Sequence, residues 1–301
     1  MSATSVAAAV PVAVHRRRPR APRVVLYVFL TVLALLWLLP VAWALYIALR
    51  PVGDTLTNGY FSPPQSLTLQ NFFDAWEQGS MGQSFINTAI ITGFAVPLTL
   101  FISSMLGYVF SRFSFRANLF LLMMFTAGNL LPPQVIIVPL YRIYLLLPLP
   151  GFLSEFGHWY DTYFGVIFIN VVFQTGFCTF VLSNYMKTIS RELTEAAIVD
   201  GASLWTTYRK VILPLSRPAL AALAVLEFTF IYNDFFWALV LMNHADKRPI
   251  TSALNQLSGG FFTNYNLFAA AAFIVAVPTI ALYLLLSKQF VRGLTLGSTK
   301  G

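Results

Sequence analysis

Charged residues are scarce in this chain. Asp, Glu, Lys and Arg make up only 10% of its 301 residues, whereas 57% are hydrophobic. Soluble domains carry about 25% charged residues. The composition therefore excludes an ordinary soluble domain and predicts a membrane protein.

Cysteine is nearly absent, and the sequence patterns of phosphate-binding loops and of catalytic sites are missing. The one cysteine, Cys178, lies in an apolar run, which excludes a disulfide framework within the chain and predicts a small buried side chain. No G-x-x-x-x-G-K-[ST] sequence occurs, and the GSTK near the C-terminus lacks the required spacing. His15, His158 and His244 are scattered, and no G-x-S-x-G is present. We expect no catalytic residue and no metal site, so the chain is interpreted as a non-enzyme.

Long apolar runs are what the sequence does contain. Six of them can cross about 30 Å of hydrocarbon, which takes about 20 helical residues. They cover residues 24–49, 85–110, 119–140, 163–182, 218–242 and 267–290. The expected fold is an all-α membrane protein with six transmembrane helices, the first uncleaved because it is too long for a signal peptide. Kinks or breaks are expected at Pro40, Pro97, Pro132, Pro133, Pro139 and Pro278.

Basic residues are distributed unequally between the two sides of these runs. Fifteen of the 19 lysines and arginines lie in the two termini, the second-to-third connection, and the segment between spans four and five. Only Arg50, Arg142, Lys247 and Arg248 lie on the other side. The positive-inside rule therefore predicts cytoplasmic N- and C-termini. The net charge of +8 follows this sidedness and not one folded patch, so we expect no nucleic-acid partner.

A charged stretch, LTEAAIVDGASLWTTYRKVILPL, separates spans four and five. Ser190 predicts the N-cap of a short helix over residues 191–199. Gly201 predicts a tight turn with positive φ. Ser203 predicts the cap of a second helix, which Pro214 ends before span five.

Two interpretations of this stretch remain open on physical grounds. The first helix offers a small apolar surface from Leu193, Ala196 and Ala197, which would suit docking against another protein. Alternatively, the stretch is an amphipathic loop lying on lipid headgroups, with Trp205 and Tyr208 as interfacial anchors. The residue pattern alone favours neither.

The same stretch resembles a known loop. ABC importer permeases carry the pattern EAA-x3-G-x9-I-x-LP, which is similar to Glu195, Ala196, Ala197, Gly201, Val211, Leu213 and Pro214, with Val in place of Ile. The stretches FINTAIIT, LGYVFSRFSFR, VPLYRIYLLLPLPG, YNDFFWALVLM and GLTLGSTKG resemble the maltose-permease (MalG-type) branch of carbohydrate importers. The resemblance implies the type I ABC importer permease fold over residues 24–301, with core spans 85–290 and the loop at 183–217. Residues 1–23 remain outside it as a disordered basic tail.

The resemblance also implies partners. The chain would join a second, MalF-type permease subunit, two ABC ATPase subunits and an extracytoplasmic solute-binding protein in a bacterial cell membrane. ATP and Mg would bind the ATPase subunits, and this chain would bind no cofactor. Its loop would form a cytoplasmic coupling helix docked in the ATPase, with residues 293–301 as a second contact. The implied coupling residues are Leu193, Glu195, Ala196, Ala197, Val199, Asp200 and Gly201.

The implied cargo is a sugar, such as a di- or oligosaccharide. Polar groups within spans are candidate pathway residues because they are costly in hydrocarbon, and sugar hydroxyls need such donors and acceptors. These are Asn170, Gln174, Glu227, Tyr232, Asn233 and Asp234. They could instead link helices, and in some maltose-type systems the partner permease makes most sugar contacts. A non-sugar solute, or an ATP-independent secondary transporter, is the alternative function.

The outer connection between spans five and six has a role implied by the same resemblance. In maltose-type permeases this loop enters the binding protein as a scoop that keeps the sugar from rebinding. The matching residues are Leu257, Ser258, Gly259, Gly260 and Phe261.

Overall fold

A computed structural model describes residues 20–129, 131–257 and 263–295. Helices dominate it, and β pairing in the described ranges is limited to one isolated bridge between Pro148 and His158. The chain divides into two compact units, residues 1–46 and 47–301. The described part of the first unit is the body of one helix, and all contacts given below lie within the second unit.

Fourteen α-helices are present in the described residues. The first seven are α1 (Arg20–Ala48), α2 (Val52–Asn58), α3 (Gln70–Gln78), α4 (Met81–Arg112), α5 (Asn118–Gly128), α6 (Pro133–Leu146) and α7 (Tyr163–Thr188). The others are α8 (Arg191–Val199), α9 (Leu204–Thr207), α10 (Leu213–Leu215), α11 (Arg217–Tyr232), α12 (Phe236–Leu241), α13 (Ile250–Gln256) and α14 (Tyr265–Thr295). A π turn (Tyr208–Ile212) joins α9 to α10, and a 3-10 turn (Ala245–Lys247) precedes α13.

Four of the helices are long and apolar enough to cross a membrane as single segments, namely α1, α4, α7 and α14. They correspond to predicted spans one, two, four and six. The helices continue through Pro40, Pro97 and Pro278, so these prolines do not end them. Up to six spans result when each of two bent helix pairs is taken as one span.

The third and fifth predicted spans are interrupted. α5 and α6 are separate helices, and Pro132 and Pro133 lie where α6 begins, because proline provides no backbone donor to continue a helix. α11 is bent by 73° from the helical segment before it. It ends at Tyr232, well before the predicted end at residue 242. The Asp234 carboxylate then accepts a hydrogen bond from the Trp237 backbone N–H at 3.1 Å, which stabilises the start of α12.

Close packing between α4 and α7 organises the second unit. A Cβ added at Gly107 would lie only 3.0 Å from the Cβ of Leu182. The hydroxyl of Ser103 on α4 donates to the Thr175 carbonyl on α7 at 3.2 Å. Gly176 likewise leaves room for the backbone of α5. Small residues permit this close approach. The resulting van der Waals packing holds the helices together, because lipid provides no hydrophobic driving force between them.

A buried polar cluster joins the end of α1 to the start of α14. Arg50 is fully buried, and its Nε donates to Asp54 Oδ2 at 3.0 Å. The side-chain amide of Asn266 lies 3.0 Å from the carbonyls of Ile47 and Arg50 and 2.8 Å from Thr55 Oγ1. Asn71 donates to the carbonyls of Ala48 and Arg50 as well, so the two amides together supply buried donors to the carbonyls at the end of α1.

Asp161 makes a second polar connection, between the segment before α7 and the segment after α12. Its carboxylate accepts hydrogen bonds from the backbone N–H of Asn243 at 2.7 Å and of His244 at 3.1 Å, and it pairs with the His244 imidazole. Burial raises the pKa of Asp161, but these hydrogen bonds outweigh it, so the pKa lies below the usual 3.8. Asp161 is therefore charged at neutral pH and holds the two segments together.

Replacing Asn266 by Ala should destabilise the protein. Three buried hydrogen bonds, to the carbonyls of Ile47 and Arg50 and to the Thr55 hydroxyl, would be lost, and each contributes about 0.5–1.5 kcal/mol. Thermal unfolding of the solubilised protein measures the change. Asn233→Ala is the control, because Asn233 is exposed and, among the described residues, its amide bonds to the Thr229 carbonyl one turn earlier. Equal stability of the two variants would contradict the role of the cluster.

Candidate functional site

The charged stretch forms the helix that the sequence predicts. α8 covers Arg191–Val199, and the Ser190 hydroxyl accepts a hydrogen bond from the Glu192 backbone N–H at 3.2 Å. Most of the helix surface faces solvent, and Val199 is 86% exposed. The predicted coupling residues are exposed except for half-buried Ala197; these are Leu193, Glu195, Ala196, Val199, Asp200 and Gly201.

Gly201 has the predicted turn conformation. Its φ is +78°, a backbone conformation that L side chains rarely adopt. The backbone N–H of Ala202 donates to the Ala197 carbonyl at 2.9 Å, which closes the C-terminal turn of α8. A Cβ added at Gly201 would meet nothing within 4 Å. Glycine is therefore favoured here by the backbone conformation, and not by crowding from neighbouring atoms.

The return from α8 to the membrane helices is buried. Ser203 caps α9 as predicted, accepting from the Thr206 N–H at 3.2 Å. Tyr208 and Ile212 of the π turn then pack into a core cluster with Leu182 of α7. The Tyr208 hydroxyl and the Ser104 hydroxyl of α4 lie 2.7 Å apart. α8 is thus held by a rigid base on α4 and α7.

The prediction that Pro214 ends this helical run is wrong. The run continues through α10, and Pro214 lies in the first turn of that helix. The wider π turn over Tyr208–Ile212 comes directly before α10, and its different bonding pattern accommodates the i→i−4 bond that a proline lacks. The bend follows at Ser216, whose hydroxyl donates to the Ile212 carbonyl at 2.8 Å.

A cleft of about 470 Å³ lies between α7 and the break after α11. Three of the predicted pathway residues line it, namely Asn170, Gln174 and Asp234. Asn170 donates to Asp234 Oδ2 at 3.2 Å and to the Val166 carbonyl at 3.0 Å. These contacts hold the Asn170 amide and the Asp234 carboxylate together, and Gln174 lies one helical turn further along α7.

Aromatic side chains complete the cleft, and sequence reasoning missed them. Phe173 and Phe177 share a face of α7 with Asn170 and Gln174, so the helical period could have identified them. Trp237 lies three residues after Asp234, and its ring is 5.5 Å from that of Phe173. Asn129, Pro133, Leu226, Phe230 and Phe236 also line the cleft. The position of Asn129 depends on the break before α6, which local sequence does not specify.

The other three predicted pathway residues lie elsewhere. Glu227 is fully buried and accepts a hydrogen bond from Cys178 Sγ at 3.1 Å. Tyr232 donates to the Val275 carbonyl of α14 at 2.8 Å. Asn233 is exposed and does not line the cleft. Glu227 and Asp234 are seven residues apart, which would place them near one face of a continuous helix. Because α11 ends between them, only Asp234 reaches the cleft.

Part of the predicted site lies outside the described residues. Leu257 follows α13 and is half-buried. The remaining scoop-loop residues, Ser258, Gly259, Gly260 and Phe261, lie outside, as do positions 296–301 of the predicted C-terminal contact and the tail through residue 19.

The fold and these two sites define a multi-pass helical membrane protein with an exposed helix on a buried base. Comparison of sequences identifies its family. Residues 99–294 match the family described as binding-protein-dependent transport system inner membrane component, and the chain belongs to this family. It is an ABC importer permease.

Two relatives from Bacillus subtilis (strain 168) match nearly the whole chain. The probable ABC transporter permease protein YurM is 32% identical over 275 residues, which are 91% of this chain and 87% of YurM. The melibiose/raffinose/stachyose import permease protein MelC is 31% identical over 84% of this chain and 88% of MelC.

A solved structure confirms the fold class. A chain of a bacterial ABC transporter involved in the import of the acidic polysaccharide alginate superposes with a TM-score of 0.71. The match covers 90% of this chain and 97% of that chain, at 21% sequence identity. The likeness therefore supports an all-α importer-permease fold and says nothing of cargo.

Proposed function

We propose that this chain is the permease subunit of an ATP-driven sugar importer, in which it forms half of the translocation pathway. The observation that carries the proposal is α8: a nine-residue helix exposed on one side, ended by a positive-φ glycine, and fixed to α4 and α7. A helix this short is not stable alone in water. Its exposure is explained if it docks against an ATPase subunit.

Coupling requires that the docked helix moves with the transmembrane helices. The contact of Tyr208 with Ser104 and the burial of Ile212 provide that connection. When ATP and Mg close the ATPase pair, α8 would carry the movement to α4 and α7. Such coupling works only if α8 binds differently in the two states. The catalysis itself belongs to the ATPase subunits in this proposal.

The cleft between α7 and α11 suits a sugar. Its volume of about 470 Å³ lies within the usual range for small-molecule sites. Asp234, Asn170 and Gln174 offer acceptors and donors for hydroxyl groups, and Phe173 and Trp237 offer flat apolar faces. MelC is named for import of oligosaccharides, which supports the same cargo class for this chain.

The proposal includes orientation and partners. Both termini and α8 would face the cytoplasm, as the distribution of Lys and Arg indicates. A second permease subunit would close the cleft from the other side. The family description names a binding-protein-dependent system, so an extracytoplasmic solute-binding protein would deliver the sugar.

Neutralising Asp234 tests the cargo site. A hydrogen bond to a charged group contributes about 1.5–3 kcal/mol, and 1.4 kcal/mol corresponds to tenfold in affinity. In a strain lacking this chain, Asp234→Asn should therefore raise the sugar concentration needed for half-maximal uptake by about tenfold or more. Uptake of a panel of labelled oligosaccharides measures this. If the wild-type chain restores uptake of none of them, the sugar cargo is refuted.

Glu227→Gln is the matched control. It neutralises a carboxylate on α11 with the same change of atoms, and the new amide oxygen still accepts from Cys178. Uptake at normal apparent affinity is expected when the variant is present at normal amounts. Equal loss in the two variants, or no loss in Asp234→Asn, would show that the cleft does not bind the cargo.

Gly201→Asp tests the coupling face. A β-carbon and a charge at the exposed turn should block docking, so we expect several-fold less ATPase subunit to copurify and a parallel fall in stimulated ATP hydrolysis. The chain should still insert in the membrane, because a Cβ at position 201 meets nothing within 4 Å in the described part of the chain.

Gly157→Asp separates docking from backbone strain. Gly157 also has a positive φ, +72°, and open space at its Cβ, but it lies in the connection between α6 and α7. A side chain in the left-handed backbone conformation destabilises both variants by a similar amount, about 1–2 kcal/mol. Normal ATPase association in Gly201→Asp, or an equal defect in Gly157→Asp, would rule out the assignment.

A further inference from the structure

An apolar groove lies outside the docking face of α8 and the cargo cleft proposed above, and it shares Tyr208 with the connection from α8 to α4. Its volume is about 310 Å³, and it lies between the end of α4 and the return from α8. Tyr108, Val109 and Phe113 form one wall, and Trp205 and Tyr208 form part of the other. Its lining is almost wholly apolar and aromatic.

The walls of this groove are firmly held. Tyr208 is 3% exposed, and its hydroxyl pairs with that of Ser104 at 2.7 Å. The ring of Tyr208 lies 5.4 Å from that of Tyr108 and 5.3 Å from that of Trp205. Val109 and Trp205 nevertheless expose 38% and 50% of their surface. The groove is thus preformed and open to its surroundings.

Two cationic residues directly adjoin residues that line the groove. Arg209 is exposed and follows Tyr208 at the start of the π turn. Arg112 immediately precedes Phe113, and its guanidinium donates to the Ile189 carbonyl at 3.1 Å. Its Nε is buried without a hydrogen-bond partner among the described residues. An apolar channel with positive charge at its edge complements a molecule with a hydrocarbon chain and an anionic head.

We propose that the groove binds an anionic phospholipid of the cytoplasmic leaflet, with an acyl chain along Tyr108, Val109 and Trp205 and the headgroup at Arg209. The leaflet rests on the orientation given in the proposed function. Tryptophan and tyrosine with nearby basic residues are typical of the membrane interface, and anionic lipids attract basic residues there. The charged stretch would then contact protein through α8 and lipid through α9 and the π turn.

Quenching of Trp205 fluorescence tests the site. The full chain, with its copurifying subunits, is placed in phosphatidylcholine nanodiscs in which a minor fraction of lipid carries brominated acyl chains. Brominated phosphatidylglycerol and brominated phosphatidylcholine are titrated over the same range of mole fractions. The signal of Trp205 is the quenching that Trp205→Phe removes. We expect quenching at about fivefold lower mole fraction of phosphatidylglycerol, which corresponds to the contribution of one cation at the surface.

Two single-charge variants decide whether the site is specific. Arg209→Gln should abolish the preference for phosphatidylglycerol. Lys210→Gln removes the neighbouring positive charge, which is also exposed, and should retain the preference. Equal effects of the two variants would indicate surface charge alone and overturn the proposal.

The other outcomes are also decisive. Equal quenching by both brominated lipids would show bulk lipid only, and quenching by neither would show that protein covers the groove. Either result refutes the lipid site. The measurement needs no transport or ATP hydrolysis, so it can fail while cargo binding and coupling stand, and the reverse also holds.

Discussion

Close packing of α4 against α7 is the contact on which the rest of the second unit depends. Gly107 and Ser103 allow the two helices to approach until backbone and side chain touch. At one end of this pair, Ser104 and Leu182 hold the return from α8. Further along α7, Asn170 and Gln174 form a wall of the cleft. One rigid helix pair therefore connects both candidate sites.

The hydrophobic surroundings explain why polar side chains cluster where they do. An unpaired backbone group costs several kcal/mol in hydrocarbon, so the breaks in the helices need local partners. Asp234 supplies one to the start of α12, and Ser216 supplies one at the bend before α11. Asn266 does the same at the end of α1. The breaks are thus stabilised, and one of them positions the carboxylate of the cleft.

The charged stretch serves two surroundings, which explains why its residue pattern supports two interpretations. α8 exposes small and charged side chains, as a protein-docking helix requires. Trp205 and Tyr208 instead line an apolar groove, as an interfacial segment does. The positive φ of Gly201 lets the chain reverse between these two parts. In our proposal, docking and lipid binding are neighbouring functions of one segment.

Local features were predictable from the sequence and tertiary ones were not. Hydropathy indicated the straight spans, and the caps at Ser190 and Ser203 and the turn at Gly201 followed from short-range chemistry. The end of α11 at Tyr232 was missed because apolar residues continue beyond it to residue 242. The separation of Glu227 from Asp234 depends on that break. The π turn and the approach of Trp237 and Asn129 to the cleft depend on packing between distant segments, whereas the helical period of α7 does indicate Phe173 and Phe177.

Amide hydrogen exchange tests the central claim, that α8 is the docking surface and its base is already fixed. Exchange is compared in the permease complex with and without the ATPase subunits. Our account predicts slower exchange over residues 191–201 on addition of the ATPase subunits and little change over the buried π turn at Tyr208–Ile212. Unchanged exchange in α8 when the ATPase subunits are bound would contradict it.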